Sequence, residues 1–474
     1  MKKLLTTTTM SMLVVAGAQA QTLEERVEAL EYKSYENFLK VSGELEMRFD
    51  SVNRNNKEGY TYITDATAYG TDFGTAAASS ATATFLGTEC GENWTTNNSK
   101  DGCVTLGDDQ KDNATYARMF MNLNIESNPS NRLTFFGRLS MAKYLSEISA
   151  TGTRPNEAAF SDLSAGANAD RANLWVERAF ANYKMNDTTT LTFGRLPTID
   201  GAPLHHHRNQ PMTGSYPIMA FSASFDGIAV TKNIGQSHVA RVIYSPFSTP
   251  NYSDSISKQT NSDGDRVPRL ADAFAAMYEY NTQVSFARKL HVIAMHNSIG
   301  SMPIAGTNLT LGLQRTSFYA ELLGIAGSNF SVAVHGMSST TQSDGSVIGL
   351  TGSGGWLTTE DDDKNTGSAS GALVKYNFDS GFMKGSSLGV EFFTGSKGAF
   401  LYDSANNDPV SMYTTYGSAY RVFYAKDFEG GLKWIAQYMN QQQDYTYAYV
   451  GLIGDEIEID RNTSFVSTSL IANF

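Results

Sequence analysis

The sequence predicts an all-β protein: a transmembrane antiparallel β-barrel of about 16 strands over residues 40–474, preceded by a short N-terminal helix. Short segments alternate apolar and polar residues, and tight connections alternate with long ones along the chain. After Ala20 no apolar run reaches the ~18 residues that a membrane-spanning helix needs. A chain that crosses a membrane without such helices must close its strands into a barrel.

The first 20 residues have the form of a secretory signal peptide. Lys2 and Lys3 precede a mildly apolar stretch, and Ala18 and Ala20 provide the small residues of a cleavage site. We therefore expect the exported protein to begin at Gln21.

Residues 21–39 are predicted to form a short amphipathic helix in the periplasm. A capping box opens the segment, and Leu23, Val27 and Leu30 then share one helical face. The stripe is too short to predict a coiled coil. A trimerisation segment and a solvated spacer therefore both remain open.

The first strand shows the alternation that defines the barrel. Val41, Leu45, Met47 and Phe49 fall on one face, and charged residues fall on the other. An unpaired ion in a dry core costs several kcal/mol, and a row of four charges cannot be paired locally. We therefore expect the charged face to lie in water.

The later segments repeat this pattern up to Phe474. Strands of about ten residues tilted near 40° cover about 25 Å, the height of the apolar band of a membrane barrel. Tight turns are predicted where Asn, Asp, Gly, Pro or Ser cluster: Asn128–Asn131, Asn186–Asp187, Ala326–Asn329 and Asp427–Gly431. Long polar connections are predicted at 53–113, 145–171 and 197–220.

The composition agrees with a membrane barrel and argues against a nucleic-acid partner. Only 18% of the residues are charged, whereas 24 Tyr and 26 Phe provide the side chains of aromatic girdles. Without the signal peptide the chain has 34 basic and 48 acidic residues, a net charge of −14. A phosphate backbone would be repelled by such a protein.

This architecture resembles the general porins of Gram-negative bacteria over the whole chain after the signal peptide. The segment Gly194–Pro203 is similar to a segment of an uncharacterised family of porin-like outer-membrane proteins. The porin resemblance implies an outer-membrane location among lipid and lipopolysaccharide, and a homotrimer that passes small solutes and ions. Neither the resemblance nor the residue spacing indicates a cofactor.

Charged residues on successive strands are predicted to line the pore. The phase of the strand around Arg178 can be assigned either way, and snorkelling of some arginines at the rims is the alternative. The predicted pore-lining residues are Glu44, Glu46, Arg48 and Asp50 on the first strand, and Arg118, Arg138, Arg178 and Arg195 on the next four.

The connection after the fifth strand is predicted to fold inward and narrow the pore with His205, His206, His207 and Arg208. Histidines with an ordinary pKa would gain charge between roughly pH 7.5 and 5.5, and the pore would then favour anions. A polar loop without a special role is the alternative. A metal site is not predicted, because three adjacent histidines lack the usual ligand spacing and a further carboxylate or cysteine.

The predicted function is an outer-membrane porin with a water-filled channel for small hydrophilic solutes and ions, and not an enzyme. A surface adhesin or structural barrel with a plugged lumen is the first alternative, favoured by the bulky loops. An outer-membrane hydrolase is less favoured. Gly385–Gly389 matches G-x-S-x-G, but a strand follows it where a nucleophile elbow needs a helix.

Cys90 and Cys103 are predicted to form a disulfide, since they are the two cysteines of an exported chain and lie in one long connection. The bridge should contribute on the order of 3 kcal/mol to the order of that connection in the chain-entropy model. Thiol labelling of the exported protein under non-reducing conditions should detect no free cysteine. Labelling of both thiols would contradict the prediction.

Overall fold

The computed structural model describes residues 39–57, 59–61, 105–107, 110–144, 173–220, 222–247, 271–303, 310–344, 364–401, 408–447 and 456–474. The predicted signal peptide, the predicted helix up to residue 38, Cys90 and Cys103 lie outside these ranges. Residue 39, which was included in the predicted helix, instead opens the first strand.

Sixteen strands of the described chain form a closed antiparallel barrel, which confirms the predicted barrel and its strand number. Each barrel strand pairs with the next one along the chain, and the last pairs with the first. The strands are β1 (Leu39–Lys57), β2 (Gly59–Thr61), β3 (Thr105–Gly107), β4 (Gln110–Ser130), β5 (Leu133–Tyr144), β6 (Asn173–Asn186), β7 (Thr189–Arg195), β8 (Asp226–Ile234), β9 (His238–Phe247), β10 (Ala271–Val284), β11 (Ala287–Pro303), β12 (Thr310–Ile325), β13 (Phe330–Asp344), β14 (Lys364–Phe378), β15 (Ser386–Gly395), β16 (Gly417–Asp427), β17 (Leu432–Tyr447) and β18 (Glu456–Asn473). The short strands β2 and β3 form a separate two-stranded sheet.

The tight connections lie where turn residues cluster in the sequence. β12 ends at Ile325 and β13 begins at Phe330, so the predicted turn Ala326–Asn329 is confirmed. β1 runs on to Lys57, beyond the predicted end of the first strand at Val52. The added residues are polar, and their backbone groups pair with the start of β4. A polar segment can continue a strand because the ladder, rather than the side chains, satisfies its backbone.

The helical residues are few. A one-turn helix, α1 (Leu204–His207), lies in the connection between β7 and β8. No helix in the described ranges has the length and apolar character that crossing a membrane requires.

Side chains alternate between the two faces of the barrel wall as the sequence predicts, but several charged side chains of the inner face are buried. Phe49 points outward with 49% of its surface exposed, whereas its neighbour Asp50 points inward and is 1% exposed. Glu46 and Arg48 are also buried. The expectation of a charged face in water is therefore wrong for these three residues, because partners from distant parts of the chain cover and pair their charges.

Two connections fold into the barrel and fill much of its interior. The first inner segment, residues 196–225, joins β7 to β8, and the second inner segment, described at 396–401 and 408–416, joins β15 to β16. Both segments bury apolar side chains against the wall, as expected from the free energy of removing apolar surface from water. One cluster contains Ile218, Met219, Phe400, Met412, Tyr413 and Phe465, and another contains Leu196, Ala202, Tyr216, Tyr319 and Phe423.

The barrel closes where β1 meets the end of β18. Gly43 donates its N–H to the carbonyl of Phe474 at 2.8 Å, and Phe474 donates in return at 2.9 Å. A Cβ atom on residue 43 would lie 2.5 Å from the Phe474 ring and 2.6 Å from the Asn122 carbonyl oxygen. The Phe474 ring therefore occupies the space that any side chain at residue 43 would need.

We predict that Gly43→Ala lowers the free energy of unfolding by about 1–3 kcal/mol, the usual range for overpacking. The backbone carbonyl of Asn122 cannot move away without breaking the β1–β4 ladder. Urea unfolding of the refolded barrel, followed by tryptophan fluorescence, measures the change. Gly312→Ala is the matched control, because the nearest atom to its added Cβ is 3.5 Å away. Equal unfolding midpoints for the two variants would contradict the prediction.

Candidate functional site

The first inner segment is a narrow loop that carries α1 across the barrel interior. Gly214 donates to the Asp200 carbonyl at 3.1 Å, and Ile218 donates to the Ala202 carbonyl at 2.9 Å, so the two arms of the loop are joined. A Cβ on Gly201 would lie 1.7 Å from the Tyr216 carbonyl oxygen. The arms can approach this closely only because residue 201 has no side chain.

Two arginines face each other across β1 and β4, and one carboxylate lies between them. Arg48 is in register with Arg118. Arg48 donates its Nε–H to Asp50 at 2.7 Å, and Arg118 donates from Nη2 to the other oxygen of Asp50 at 2.6 Å. From the second inner segment, Asp408 accepts a hydrogen bond from Arg48 at 2.5 Å and lies 2.9 Å from Arg421 of β16.

A second pair of opposed arginines lies on β5 and β6. Arg138 is in register with Arg178, and Glu177 next to it is the extra residue of a β-bulge. The bulge turns both Glu177 and Arg178 inward, which explains why the phase of this strand was ambiguous in the sequence. Arg138 Nη1 lies 2.9 Å from both Glu177 and Asp200, and Arg178 Nη2 lies 2.9 Å from Asp200.

Asp200 connects this arginine pair to the first inner segment. Its backbone is left-handed, with φ of 56°. Residues other than glycine adopt this conformation rarely, and it concentrates at positions that the surrounding structure holds in place. Two guanidinium groups on one carboxylate oxygen provide that constraint here.

The register contradicts the predicted position of Arg195. Arg195 is paired with Ala179 and Asp226, one residue out of phase with the inward-facing pair Thr192 and Asn182. It therefore shares the outer face with Phe193, which is exposed. The prediction of Arg195 as a pore-lining residue is wrong, because regular alternation along β7 places Arg195 on the same face as Phe193.

The other predicted charged residues, Glu44, Glu46, Arg48, Asp50, Arg118, Arg138 and Arg178, point into the barrel, where their role in lining a pore stays a prediction. Arg208 of the first inner segment extends toward β1 and donates to Glu46 at 2.8 Å. Lys433 of β17 donates to the backbone carbonyls of Arg208 and Asn209 at 2.6 and 3.0 Å. Both walls thus hold the end of α1.

The three adjacent histidines of α1 contact two different carboxylates. His205 Nε2 and His206 Nε2 lie 3.2 and 3.1 Å from the same oxygen of Glu321 on β12. His207 Nε2 instead contacts Glu391 of β15. Successive side chains on a helix point in directions about 100° apart, so neighbours can reach different parts of the wall.

His207 is held as a neutral imidazole. Its Nδ1 lies 3.1 Å from Nη1 of Arg421, which can only donate, so Nδ1 accepts and carries no proton. Its Nε2–H is therefore free to donate to Glu391. The other oxygen of Glu391 accepts from His335 at 2.9 Å, and both of its oxygens accept from Tyr413.

The sequence-based expectation that all three histidines gain charge between roughly pH 7.5 and 5.5 is wrong for two of them. Burial lowers the pKa of His206 to about 4 and also lowers the pKa of His207, because the charged form loses its hydration. The His206 ring therefore stays neutral through that interval, and the titration of His207 is displaced to lower pH.

Sequence reasoning missed the acidic partners of these groups. Asp200 and Asp408 lie in connections, and Glu321 and Glu391 are isolated charges on otherwise uncharged stretches of β12 and β15. A single carboxylate inside a strand that points toward the barrel interior was the available signal. Its histidine partners could not be identified, because they lie far away in the chain, 116 residues for His205 and Glu321 and 184 residues for His207 and Glu391.

One protein family matches part of the chain in sequence. Residues 109–244 match a family described as "Protein of unknown function (DUF3373)", and the segment Gly194–Pro203 lies within this match. The predicted resemblance to an uncharacterised family is thus confirmed for this part of the chain. No curated protein matches the chain in sequence.

Several porin structures are similar over most of their length. An anion-selective porin from Comamonas acidovorans is 9% identical over 92% of this chain and 99% of its own, with a TM-score of 0.47. Salmonella typhi OmpF in complex with daunomycin is 13% identical over 92% and 98%, with a TM-score of 0.44. The trimer form of OmpT from Vibrio cholerae is 9% identical over 92% and 99%, with a TM-score of 0.43.

We predict that Asp408→Asn destabilises the barrel by about 3 kcal/mol at pH 7, because it leaves Arg48 and Arg421 buried without their shared anion. Burial opposes the charge of Asp408, but Arg421 and Arg48 hold the pKa of its carboxyl well below its usual range. Its stabilising effect is therefore complete above the ordinary aspartate pKa of 3.8 and is lost as pH falls through the lower folded value.

Urea unfolding at a series of pH values measures this effect as the difference between wild type and Asp408→Asn. The difference should be full above about pH 4 and should shrink below it. Asp187→Asn is the control, because Asp187 is exposed in the turn between β6 and β7. A difference that stays constant with pH, or one no larger than that of the control, would contradict the prediction.

Proposed function

We propose that the protein is an outer-membrane channel through which small hydrophilic solutes and ions diffuse passively. The observation that carries this proposal is the charged rim of the first inner segment. Arg208 and Asp200 face the wall of β1 and β4–β7 and keep 24% and 36% of their side-chain surface exposed, and Glu44 on that wall keeps 16%. These groups provide a polar path beside the segment.

The opposed arginine pairs lie on β1 and β4–β6, which supports a path along that wall. The apolar clusters pack mainly against β8–β17, where Glu321, Glu391 and Arg421 are also buried. A hydrated ion would lose its water against the apolar clusters at a cost of several kcal/mol. Charged and amide side chains on the other wall replace part of that hydration.

Charges of both signs border the proposed path. Arg208 extends toward Glu44 and Glu46, and Asp200 is between Arg138 and Arg178. Opposite charges across a narrow passage produce a transverse field, which orients polar solutes and disfavours large apolar ones. This supports a filter for small polar molecules rather than a wide pore.

A barrel with a plugged lumen is the second candidate function. It is favoured by the two inner segments, which bury an apolar core and several ion pairs inside the described barrel. Such a barrel would act as an adhesin or as a structural element of the membrane. Conductance separates the two candidates, because a plugged barrel passes no current.

The outer-membrane location is supported by the closed barrel and its outward apolar side chains, since a closed barrel is the strand-based way to satisfy every backbone group in lipid. Contact with lipopolysaccharide and assembly into a homotrimer follow from the porin resemblance and stay predictions. The absence of enzymatic activity and of a cofactor also stays a prediction.

We predict that purified protein in a planar lipid bilayer conducts ions and that charges beside the first inner segment set its selectivity. Arg208→Gln removes a positive charge from the path and should shift the reversal potential in a salt gradient toward cations. Asp200→Asn removes a negative charge and should shift it toward anions. The reversal potential and the single-channel conductance of each variant measure these shifts.

Lys232→Gln is the matched control for Arg208→Gln, because it removes the same charge from an exposed residue near the β8–β9 turn, where Lys232 donates to Thr188. It should leave the selectivity of the wild type unchanged. If the protein conducts but Arg208→Gln and Asp200→Asn leave its reversal potential unchanged, the proposed path is refuted. A folded barrel without any conductance would favour the plugged barrel.

A further inference from the structure

Three groups that commonly bind metal ions converge where α1 meets β12. His205 Nε2, His206 Nε2 and a carboxylate oxygen of Glu321 all lie within 4.8 Å of one another. The two histidine nitrogens lie 3.2 and 3.1 Å from the same oxygen, Oε2. His206 and Glu321 are buried, and His205 keeps 12% of its side-chain surface exposed. One edge of this group therefore reaches the interior water.

One set of hydrogen bonds accounts for this arrangement without an ion. Tyr319 donates its hydroxyl to Glu321 Oε2 at 2.8 Å, and His205 Nε2 lies 3.2 Å from the same oxygen. A carboxylate oxygen offers about two lone-pair sites, so these two donors fill Oε2. His206 Nε2, 3.1 Å from Oε2, then has the Tyr319 hydroxyl oxygen at 3.0 Å as its acceptor.

We propose that His205 Nε2, His206 Nε2 and the Glu321 carboxylate form a binding site for a divalent transition-metal ion of the zinc type. A cation accepts the lone pairs of both imidazoles and of the carboxylate, and coordination would replace these hydrogen bonds. The fourth position faces His205 and the interior, where water completes the shell. The proposal concerns binding and does not depend on whether the barrel conducts.

The distances and the ligand chemistry fit this class of ion. Zinc binds histidine nitrogen and carboxylate oxygen at about 2.0–2.2 Å, and ligands of a tetrahedron with such bonds are about 3.3–3.5 Å apart. The observed separations of 3.1 and 3.2 Å from Oε2 are close to this value. Two imidazoles with one carboxylate favour zinc and its neighbours in the first transition row over Ca²⁺ or Mg²⁺, which prefer oxygen ligands.

The groups around the site are those that orient metal ligands. The second oxygen of Glu321 lies 3.4 Å from His291 Nδ1 and 3.7 Å from Lys289 Nζ. His291 in turn contacts Glu279 through Nε2 at 2.9 Å. Such outer partners fix the direction of the coordinating carboxylate and commonly change metal affinity by about 10- to 100-fold.

A bound ion would also join the first inner segment to the barrel wall. The two histidines belong to the connection between β7 and β8, whereas Glu321 belongs to β12 on another part of the wall. Coordination would therefore fix the rotation of α1 about its own axis. Removal of the ion would leave α1 held by the contact of His207 with Glu391. The residues after α1 would stay bonded to the wall, because Lys433 donates to the Arg208 carbonyl and Lys375 donates to the Asn209 side chain.

The test is zinc binding by the refolded full-length barrel in detergent, prepared without a histidine tag and freed of metal with a chelator. Titration calorimetry and elemental analysis after dialysis measure affinity and stoichiometry. The variants are His205→Gln, His206→Gln and Glu321→Gln, and His296→Gln is the control because His296 is exposed on β11 and contacts Thr316 instead. Heat-dependent gel mobility verifies that each variant is folded.

Wild type and His296→Gln should bind about one zinc ion per chain. Each site variant should lose zinc affinity by a factor of about 10 or more. Cobalt should give visible absorption bands in the wild type that the site variants lose. No stoichiometric binding by the folded wild type would overturn the proposal, and so would an equal loss in His296→Gln. If Glu321→Gln does not fold, the partly exposed His205→Gln decides the outcome. Because conductance is not measured, failure here leaves the proposed channel untouched.

Discussion

The interior of this barrel depends on carboxylates that neutralise opposed arginines. Arg48 faces Arg118 and Arg138 faces Arg178 across neighbouring strands, and like charges in such pairs repel when nothing lies between them. Asp50 and Glu177 from the wall relieve part of this repulsion. Asp200 and Asp408 come from the two inner segments, so the charged wall and the folded segments stabilise each other. Neither can take its observed place without the other, because a buried charge without its partner is strongly destabilising.

These ion pairs also explain how the inner segments are oriented. The arginine-bearing wall holds Asp200 and Asp408, and apolar residues of the same segments pack mainly against β8–β17, where small and apolar residues such as Ala229, Ala275 and Leu373 point inward. The first inner segment thereby fills part of the barrel interior with apolar side chains. Its charged residues Asp200 and Arg208 face the arginine-bearing wall. The two candidate functions therefore differ in one respect, which is whether a path remains open beside the inner segments.

The sequence predicts what depends on local pattern and misses what depends on distant pairing. Period-two alternation predicts the barrel class, the strand number and the inward direction of Glu44, Glu46, Arg48 and Asp50. Turn chemistry predicts the turn Ala326–Asn329. Both signals depend on a few neighbouring residues. The burial of the charged face does not, because Asp408 is 360 residues away from Arg48 along the chain. One ambiguity and one error have local causes. The bulge at Glu177 shifts the phase of β6 and so made the direction of Arg178 ambiguous, and regular alternation along β7 places Arg195 outward with Phe193.

The histidines of α1 show how far a short motif can be understood before its surroundings are known. As a sequence, three adjacent histidines lack the spacing and the further ligand of a metal site. In the folded chain the three side chains point in different directions around α1. His205 and His206 both reach Glu321, while His207 contacts Glu391. The carboxylate absent from the local motif is supplied by a strand 116 residues farther along. Arg421 contacts His207 Nδ1 and so restricts this ring to one neutral tautomer. The contact orients α1 whether His205 and His206 form hydrogen bonds or bind an ion. The rotation that presents two imidazoles to Glu321 is therefore built into the fold, and an ion would bind to ligands that are already in position.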